Sequence, residues 1–140
     1  LGAACLGVAK EMLELSANYS KERKQFDHPI SFFQAVQFML SEMAVMIFNM
    51  ESIVYRTATD YDLKKDISTR SAMVKLYCSD ALDEVVDRAV QIHGGMGYSQ
   101  ELSIERYYRD SRINRIFEGT NEIQKGIIAR DILKKGGKLF

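Results

Sequence analysis

Residues 33–57, FQAVQFMLSEMAVMIFNMESIVYRT, decide the fold. Phe33, Val36, Met39, Leu40, Met43, Met46, Ile47, Met50, Ile53, Val54 and Thr57 recur at threes and fours. That spacing puts them on one stripe of an α-helix, whereas a half-buried strand would alternate with period two. The stripe is long enough to line the core of a bundle, so Met39, Met43, Met46 and Met50 are expected to be core residues. Their thioethers are read as packing material, not as a redox cluster.

On the N-terminal side, Leu6, Val8, Ala9, Met12, Leu13 and Leu15 fall mostly on one side of a helix that runs to about Arg23. Asp27-His28-Pro29 breaks it, because Pro29 disfavours a helical conformation at His28, and Ser31 can cap the next helix. On the C-terminal side, Asp60 to Asp66 is polar and reads as a turn. A third helix is predicted from near Ser68 to about Ile92, with Ala72, Leu76, Ser79, Leu82, Val86 and Ala89 facing inward. Gly94-Gly95 stops it. A short helix over Leu102–Arg109 follows. A last helix runs from near Thr120 to Lys135, with Lys134 and Lys135 suited to its C-terminal dipole and Gly136-Gly137 ending it. Strand signals are nearly absent. These elements predict an all-α fold: one domain over residues 1–140, an antiparallel up-down four-helix bundle with one additional short helix.

Composition narrows the function classes. Among 140 residues, 46% are apolar and 27% charged, with 19 basic residues balanced by 19 acidic ones. A net charge of zero argues against nucleic-acid binding through a broad positive field. Cys5 and Cys78 lie far apart, form no CxxC motif, and read as reduced, mostly buried thiols. With two His in the chain, no metal-ligand spacing emerges. No apolar run is expected to reach the length of a membrane span. The chain opens Leu-Gly-Ala-Ala-Cys without Met, and is expected to be an excerpt of a longer protein.

Three stretches carry candidate chemistry. In Arg115-Ile-Phe-Glu-Gly-Thr-Asn-Glu-Ile-Gln124 one carboxylate, Glu118, lies between an apolar pair and a Gly-Thr-Asn helix start. A lone carboxylate held among apolar side chains can become a base near neutral pH. Gly119 permits close approach of a ligand, and Thr120 and Asn121 can offer it hydrogen bonds. The plainer reading is an acidic residue favouring a helix N-terminus. Gln91-Ile-His-Gly-Gly-Met-Gly97 lets backbone N–H groups approach a phosphate or flat ring. The plainer reading is a helix C-cap and a sharp turn, and its glycines follow no strand, which rules out a dinucleotide fingerprint. Arg23 could pair with a pyrophosphate and Gln34 with an adenine edge, or the two could be a basic helix end and a polar neighbour of the core. His93 and His28 read as packed or hydrogen-bonded residues rather than acid-base catalysts. The charged run Glu105–Asp110 with Arg112 and Arg115 fits either a solvated, ion-paired helix or a subunit contact.

In their order and spacing, Lys-Gln-Phe…Pro-Ile…Phe-Gln, Gln-Ile-His-Gly-Gly-Met-Gly-Tyr and Tyr-Arg-Asp…Ile-Phe-Glu-Gly-Thr-Asn-Glu-Ile-Gln resemble the C-terminal domain of the acyl-CoA dehydrogenases. The resemblance covers essentially the whole chain. It implies oxidation of acyl-CoA thioesters to trans-2-enoyl-CoA with FAD, with Glu118 taking the α-proton and Gly119 beside the substrate. The enolate oxygen would be met by the backbone N–H of that glutamate and a flavin ribityl hydroxyl.

By the same resemblance, Arg23, Gln25 and Phe26 contact the FAD of a neighbouring subunit, and Phe33 and Gln34 meet its adenosine end. Gln91, Ile92, His93, Gly94 and Gly95 run along the ADP moiety, and Thr120, Asn121 and Glu122 add a further FAD contact. Implied partners are an electron-transfer flavoprotein and further copies of the chain, in a dimer or tetramer. The implied location is bacterial or archaeal cytoplasm, or mitochondrial matrix in a eukaryote. Asp27-His28 departs from the Gly-basic pair of many relatives. Because Asp tolerates left-handed backbone, the turn is expected to survive. The excerpt alone is expected to be inactive. An acyl-CoA oxidase-like relative and a non-catalytic oligomerisation bundle are the competing readings.

Overall fold

The computed structural model describes residues 1–139 and is all-α apart from one two-residue hairpin. Helix α1 spans Gly2–Glu22, α2 Gln34–Asp62, α3 Ser68–His93, α4 Gly95–Tyr98, α5 Ile104–Ser111 and α6 Asn121–Lys134. Strands β1 (Lys24–Gln25) and β2 (His28–Pro29) form the hairpin between α1 and α2, in register Lys24↔Pro29 and Gln25↔His28. Short 3-10 turns cover Ile30–Phe32 and Arg112–Arg115.

Side-chain pairings give the directions. Glu42 meets Arg88 and Asp60 meets Arg70, so α2 and α3 run antiparallel. Asn121 meets Ser79 while Asp131 meets Thr69, so α3 and α6 do too. Gly2 packs beside Val54 of α2, and Tyr19 beside His93, so α1 is antiparallel to α2 and parallel to α3. The up-down order follows from the short connections.

The bundle is less symmetric than the periodicity suggests. The apolar core is built from α1 (Cys5, Leu6, Ala9, Met12), α2 (Met43, Ile47, Met50) and α3 (Cys78, Leu82, Val85, Val86, Ala89), closed by Ile104 of α5. No α6 residue belongs to it. Helix α6 meets α3 through polar side chains, Asn121 with Ser79 and Asp131 with Thr69; Ile127 and Ile128 are half-buried, and Ile123, Ile132 and Leu133 face out. Its apolar residues do not share one stripe, so it cannot serve as a fourth core wall.

Several local expectations are corrected. Met43 and Met50 are fully buried, but Met39 and Met46 are half-buried at the core margin. Ser31 does not cap α2: it sits in the 3-10 turn, where its carbonyl accepts from Gln37 Nε2 at 2.9 Å, and Phe33 takes the N-cap position. Asp60 lies in α2 rather than in a turn, buried between Lys65 at 2.8 Å and Arg70 at 2.9 Å, and these cations hold its carboxyl below the usual range. The turn begins only after Asp62, with Lys64 at φ 59°.

The expectation of no span-length apolar run also fails. By length and composition α2 is long and apolar enough to cross a membrane. It carries apolar residues on two faces: Met43, Ile47 and Met50 inward, and Phe38, Val45, Phe48 and Tyr55 exposed.

Both thiols are buried, as composition suggested. Burial raises both, Cys78 to about 12.

Candidate active site

Glu118 lies in the tight turn between the 3-10 turn at Arg112–Arg115 and α6. Its φ is 53° and that of Gly119 is 83°. Left-handed backbone is unusual for a residue with a Cβ, and it persists where surroundings enforce it. A Cβ at Gly119 would fall 2.8 Å from Gln124 Nε2, so glycine is required there by space as well as by φ. Gln124 Nε2 donates to the carbonyls of Glu118 at 3.3 Å and Gly119 at 3.2 Å. Thr120 is the N-cap of α6: its Oγ1 accepts from the Ile123 N–H at 3.4 Å. Glu122 sits over its own backbone N–H and the Thr120 side chain, which hold its carboxyl below the usual range.

The Glu118 backbone N–H donates to no group among the described residues. The side chain lines a cleft of about 410 Å³ at one end of the bundle, with Gly2, Val54, Ala58, Tyr61, Val74 and Lys75 on its walls. The expected apolar enclosure of the carboxylate does not form within this chain. Glu118 is exposed, as are Ile116 at 49% and Phe117 at 41%.

Beneath the turn is a polar network that sequence reasoning missed. Asn121 is 2% exposed, and its Nδ2 donates to Ser79 Oγ at 2.9 Å and Asp80 Oδ1 at 2.9 Å. Lys75 Nζ donates to Asn121 Oδ1 at 2.6 Å from a site where burial pushes the ammonium below its usual range. Asn121 therefore does not offer its side chain to a ligand. Arg115 bonds Asp80 at 2.9 Å and Asp83 at 3.2 Å. Burial raises the Asp83 carboxyl despite that pairing, and its Oδ1 has no partner among the described residues. The missed signal was Lys75, a cation one turn from Ala72 and Ser79 on the inward face of α3.

The other predicted residues gather at the opposite end. Gly94 (φ 57°) ends α3, with its N–H on the Gln91 carbonyl at 3.2 Å. Gln91, Gly94 and Gly95 are exposed, and a Cβ on either glycine would meet nothing within 4 Å. Ile92 and His93 point inward. The His93 ring stacks on Tyr19 at 4.3 Å, and its Nδ1 lies 2.7 Å from the Ala89 carbonyl. Burial lowers its imidazole below the ordinary value, which fits the packed reading and not a catalytic one.

Arg23, Gln25 and Phe26 are exposed on the hairpin, and Arg23 forms no ion pair among the described residues. The hairpin turn places Phe26 at φ 52° and Asp27 at φ 65°, so Asp27 does take the left-handed position. Phe33 packs edge-on to Phe26 at 6.1 Å, and Gln34 is exposed at the first turn of α2. The stretch of α3 from 75 to 91 separates this end from Glu118 by about 24 Å at 1.5 Å per residue.

A larger cleft, about 780 Å³, lies between α3, α4 and α5 and is lined by Asp87, Tyr98, Tyr108 and Arg109 among others. It contains none of the predicted site residues, and the fixed carboxylate makes the smaller cleft the stronger candidate for chemistry.

Known proteins share the sequence and fold of this chain. The model of the family described as acyl-CoA dehydrogenase, C-terminal domain, matches residues 1–133. A probable acyl-CoA dehydrogenase of Bacillus subtilis strain 168 is 42% identical over 99% of this chain and 26% of its own length. The caffeyl-CoA reductase-Etf complex subunit CarC of Acetobacterium woodii is 42% identical over 93% of this chain and 34% of its own. The solved FAD complex of PigA superposes with a TM-score of 0.91 at 34% identity, over 97% of this chain and 36% of that one. The chain thus spans a quarter to about a third of the proteins it matches.

Proposed function

Given that this chain belongs to the acyl-CoA dehydrogenase family, as its C-terminal domain, we propose that within the whole protein it supplies the base and part of the FAD site for α,β-dehydrogenation of an acyl-CoA thioester. The observation that carries the reading is Glu118: a carboxylate on a fixed left-handed turn, facing an open cleft, beside its own unoccupied N–H. Glu118 takes the α-proton onto a carboxylate oxygen. Its N–H is available to the thioester oxygen as enolate charge develops there, the position at which one aligned donor contributes most. FAD, when bound, accepts the β-hydrogen as hydride. The exposed rim at Ile116 and Phe117 is covered by other domains or by ligand, and dries the carboxylate enough to make it a useful base.

The residues at the far end suit the cofactor's phosphates and adenosine. Arg23 is an unpaired guanidinium, and Gly94-Gly95 presents bare backbone with open space in front of it. The separation of this end from Glu118 supports FAD sites shared between copies, each using Glu118 and Thr120 from one subunit and Arg23, Gln25, Phe33, Gln34 and the Gln91–Gly95 stretch from another. The exposed α2 stripe of Phe38, Val45, Phe48 and Tyr55 supports self-association. An electron-transfer flavoprotein is the proposed acceptor, in line with the Etf-complex relative. The proposed location is the cytoplasm of a prokaryote or the mitochondrial matrix.

The test is Glu118→Gln in the full-length, FAD-loaded protein. FAD and acyl-CoA should still bind, while flavin reduction after rapid mixing falls at least ~100-fold, the scale of a lost general base. Near-normal reduction would remove Glu118 from the reaction.

A further inference from the structure

Arg115 stands three residues before Glu118 and Asn121 three residues after it. Their side chains converge on one atom. Asp80 Oδ1 stands 2.9 Å from Arg115 Nε in an ion pair and accepts from Asn121 Nδ2 at 2.9 Å. Both shoulders of the turn thereby meet at one oxygen of α3, and the Arg115 shoulder has a second tie, its Nη1 donating to Asp83 Oδ2 at 3.2 Å. The Asn121 side chain is then pinned from its other end, because Lys75 Nζ donates to its Oδ1 at 2.6 Å.

A surface carboxylate holding one partner would hold it weakly, since water and salt screen the pair. Asp80 differs in two respects. Its second donor, Asn121, is 2% exposed, so that bond has no competing water on the amide side. The two donors also lie on opposite sides of a residue whose φ of 53° is disfavoured without support. If either tie is released, the turn can relax toward ordinary backbone. The Glu118 carboxylate and N–H then move together.

We propose that Asp80 is the positioning residue of the base, clamping the Glu118 turn to α3 through one oxygen shared by Arg115 and Asn121, with Lys75 locking the clamp from below. The inference rests on reading Glu118 as the base. Asp80 touches neither substrate nor cofactor in this role.

The experiment compares the full-length, FAD-loaded protein with its Asp80→Ala and Asp80→Asn variants. Asn keeps an oxygen that can accept from Asn121 and face the Arg115 guanidinium, without the charge, and Ala keeps neither. Amide hydrogen exchange over residues 116–122 should quicken by about tenfold or more in Asp80→Ala, while the α3 core amides at 82–89 keep their protection. On rapid mixing with acyl-CoA the limiting rate of flavin reduction should fall about tenfold, with the acyl-CoA dissociation constant within about twofold of the parent, because orientation is lost and binding is not. Asp80→Asn should recover most of both.

Unchanged exchange over 116–122 in Asp80→Ala overturns the proposal, as does failure of Asp80→Asn to recover protection. Should Asp80→Ala not fold, Arg115→Ala and Asp83→Asn are compared, because Arg115 also holds Asp83: faster exchange at 116–118 in Arg115→Ala but not in Asp83→Asn supports the clamp, and unchanged exchange in Arg115→Ala, or equal quickening in both, defeats it. The exchange measurement needs no turnover. It therefore separates failure of the clamp from failure of Glu118 as base, which Glu118→Gln reports independently.

Discussion

Two turns in this chain adopt the same uncommon backbone, and they are supported in opposite ways. Phe26 and Asp27 in the hairpin have φ of 52° and 65°, and Glu118 and Gly119 have φ of 53° and 83°. The hairpin is held by neighbours: the β1–β2 pairing, the Ile30 N–H on the Arg23 carbonyl at 2.8 Å, and the contact of Phe26 with Phe33. Its outer surface, including Phe26 at 84%, remains exposed. The Glu118 turn is held from α3, by pairings 32 to 46 positions apart. Disfavoured backbone needs a restraint, and the origin of the restraint separates the two sites. The turn proposed to carry a base is aimed from within the fold. The surface proposed to meet a cofactor or another subunit leaves its outer side unfilled.

The sharpest way to break this comparison is to remove the buried restraint. Asn121→Leu takes away the acceptor of the Lys75 ammonium and one arm of the Asp80 clamp. A buried cation left without its partner destabilises strongly, here by roughly 2–4 kcal/mol. The shift in denaturation midpoint of the full-length protein measures it. Adding Lys75→Met to Asn121→Leu should recover most of the loss, because the pair of apolar side chains leaves no orphaned charge. If Asn121→Leu alone is neutral, the network does not hold the turn.

The hairpin end should answer to a different measurement. Arg23→Ala removes an exposed, unpaired cation, so fold stability should stay within about 0.5 kcal/mol. FAD retention in the full-length protein should weaken by about 1.5–3 kcal/mol, the scale of a lost charge-assisted pair. Flavin release gives the second number and thermal unfolding the first. Equal loss in both would make Arg23 a structural residue and erase the contrast between the ends.

The contrast also explains what was legible in the sequence. The helices were readable because their information is local: the stripe from Phe33 to Thr57, the Pro29 break, and Gly94-Gly95 at the end of α3. The left-handed position of Asp27 was readable for the same reason, since Asp is one of the few side chains that tolerate it. Ser31 failed as a cap because the Ile30–Phe32 turn intervened, a conformation with no strong local signature. The status of α6 was hidden because periodicity reports one face and says nothing of its partner. Lys75, Ser79 and Asp80 were hidden more deeply. Ser79 was counted only as a small inward residue, and nothing in the local sequence states that Asn121 will reach back to it. Family motifs marked Glu118 itself. They did not mark the side chains that hold its turn.

Acidity should distinguish the ends by a smaller margin. Burial keeps His93 below its ordinary value of 6.5. Between that value and the lower folded one, the unfolded chain binds more protons at this site than the folded chain does. Stability therefore falls as pH falls from about 6.5, and the loss is complete below the folded value. His93→Phe keeps a ring against Tyr19 and removes the proton site, so unfolding midpoints should lose part of their acid sensitivity in that window. The Tyr19–His93 stack joins α1 to α3 just before Gly94, so the effect belongs to the hairpin end. An identical pH dependence in parent and variant would mean that His93 is not what acid attacks there.

The smallest expected effect lies at Asp27. Glycine adopts left-handed backbone without the Cβ penalty, but it also gives the unfolded chain more freedom to lose. Asp27 makes no ion pair among the described residues, so no compensating contact disappears with it. The two terms nearly offset, and Asp27→Gly should change stability by less than about 1 kcal/mol, toward greater stability. The more informative readout is FAD retention. Asp27 puts a negative charge on the hairpin that follows Arg23, near where the cofactor's phosphates are proposed to lie, and its removal should tighten FAD by a few tenths of a kcal/mol to about 1 kcal/mol, fading as salt screens the charge. A variant that binds FAD more weakly would mean that the carboxylate holds the turn rather than merely tolerating it. The hairpin would then share with the Glu118 turn a side-chain restraint that its sequence does not reveal.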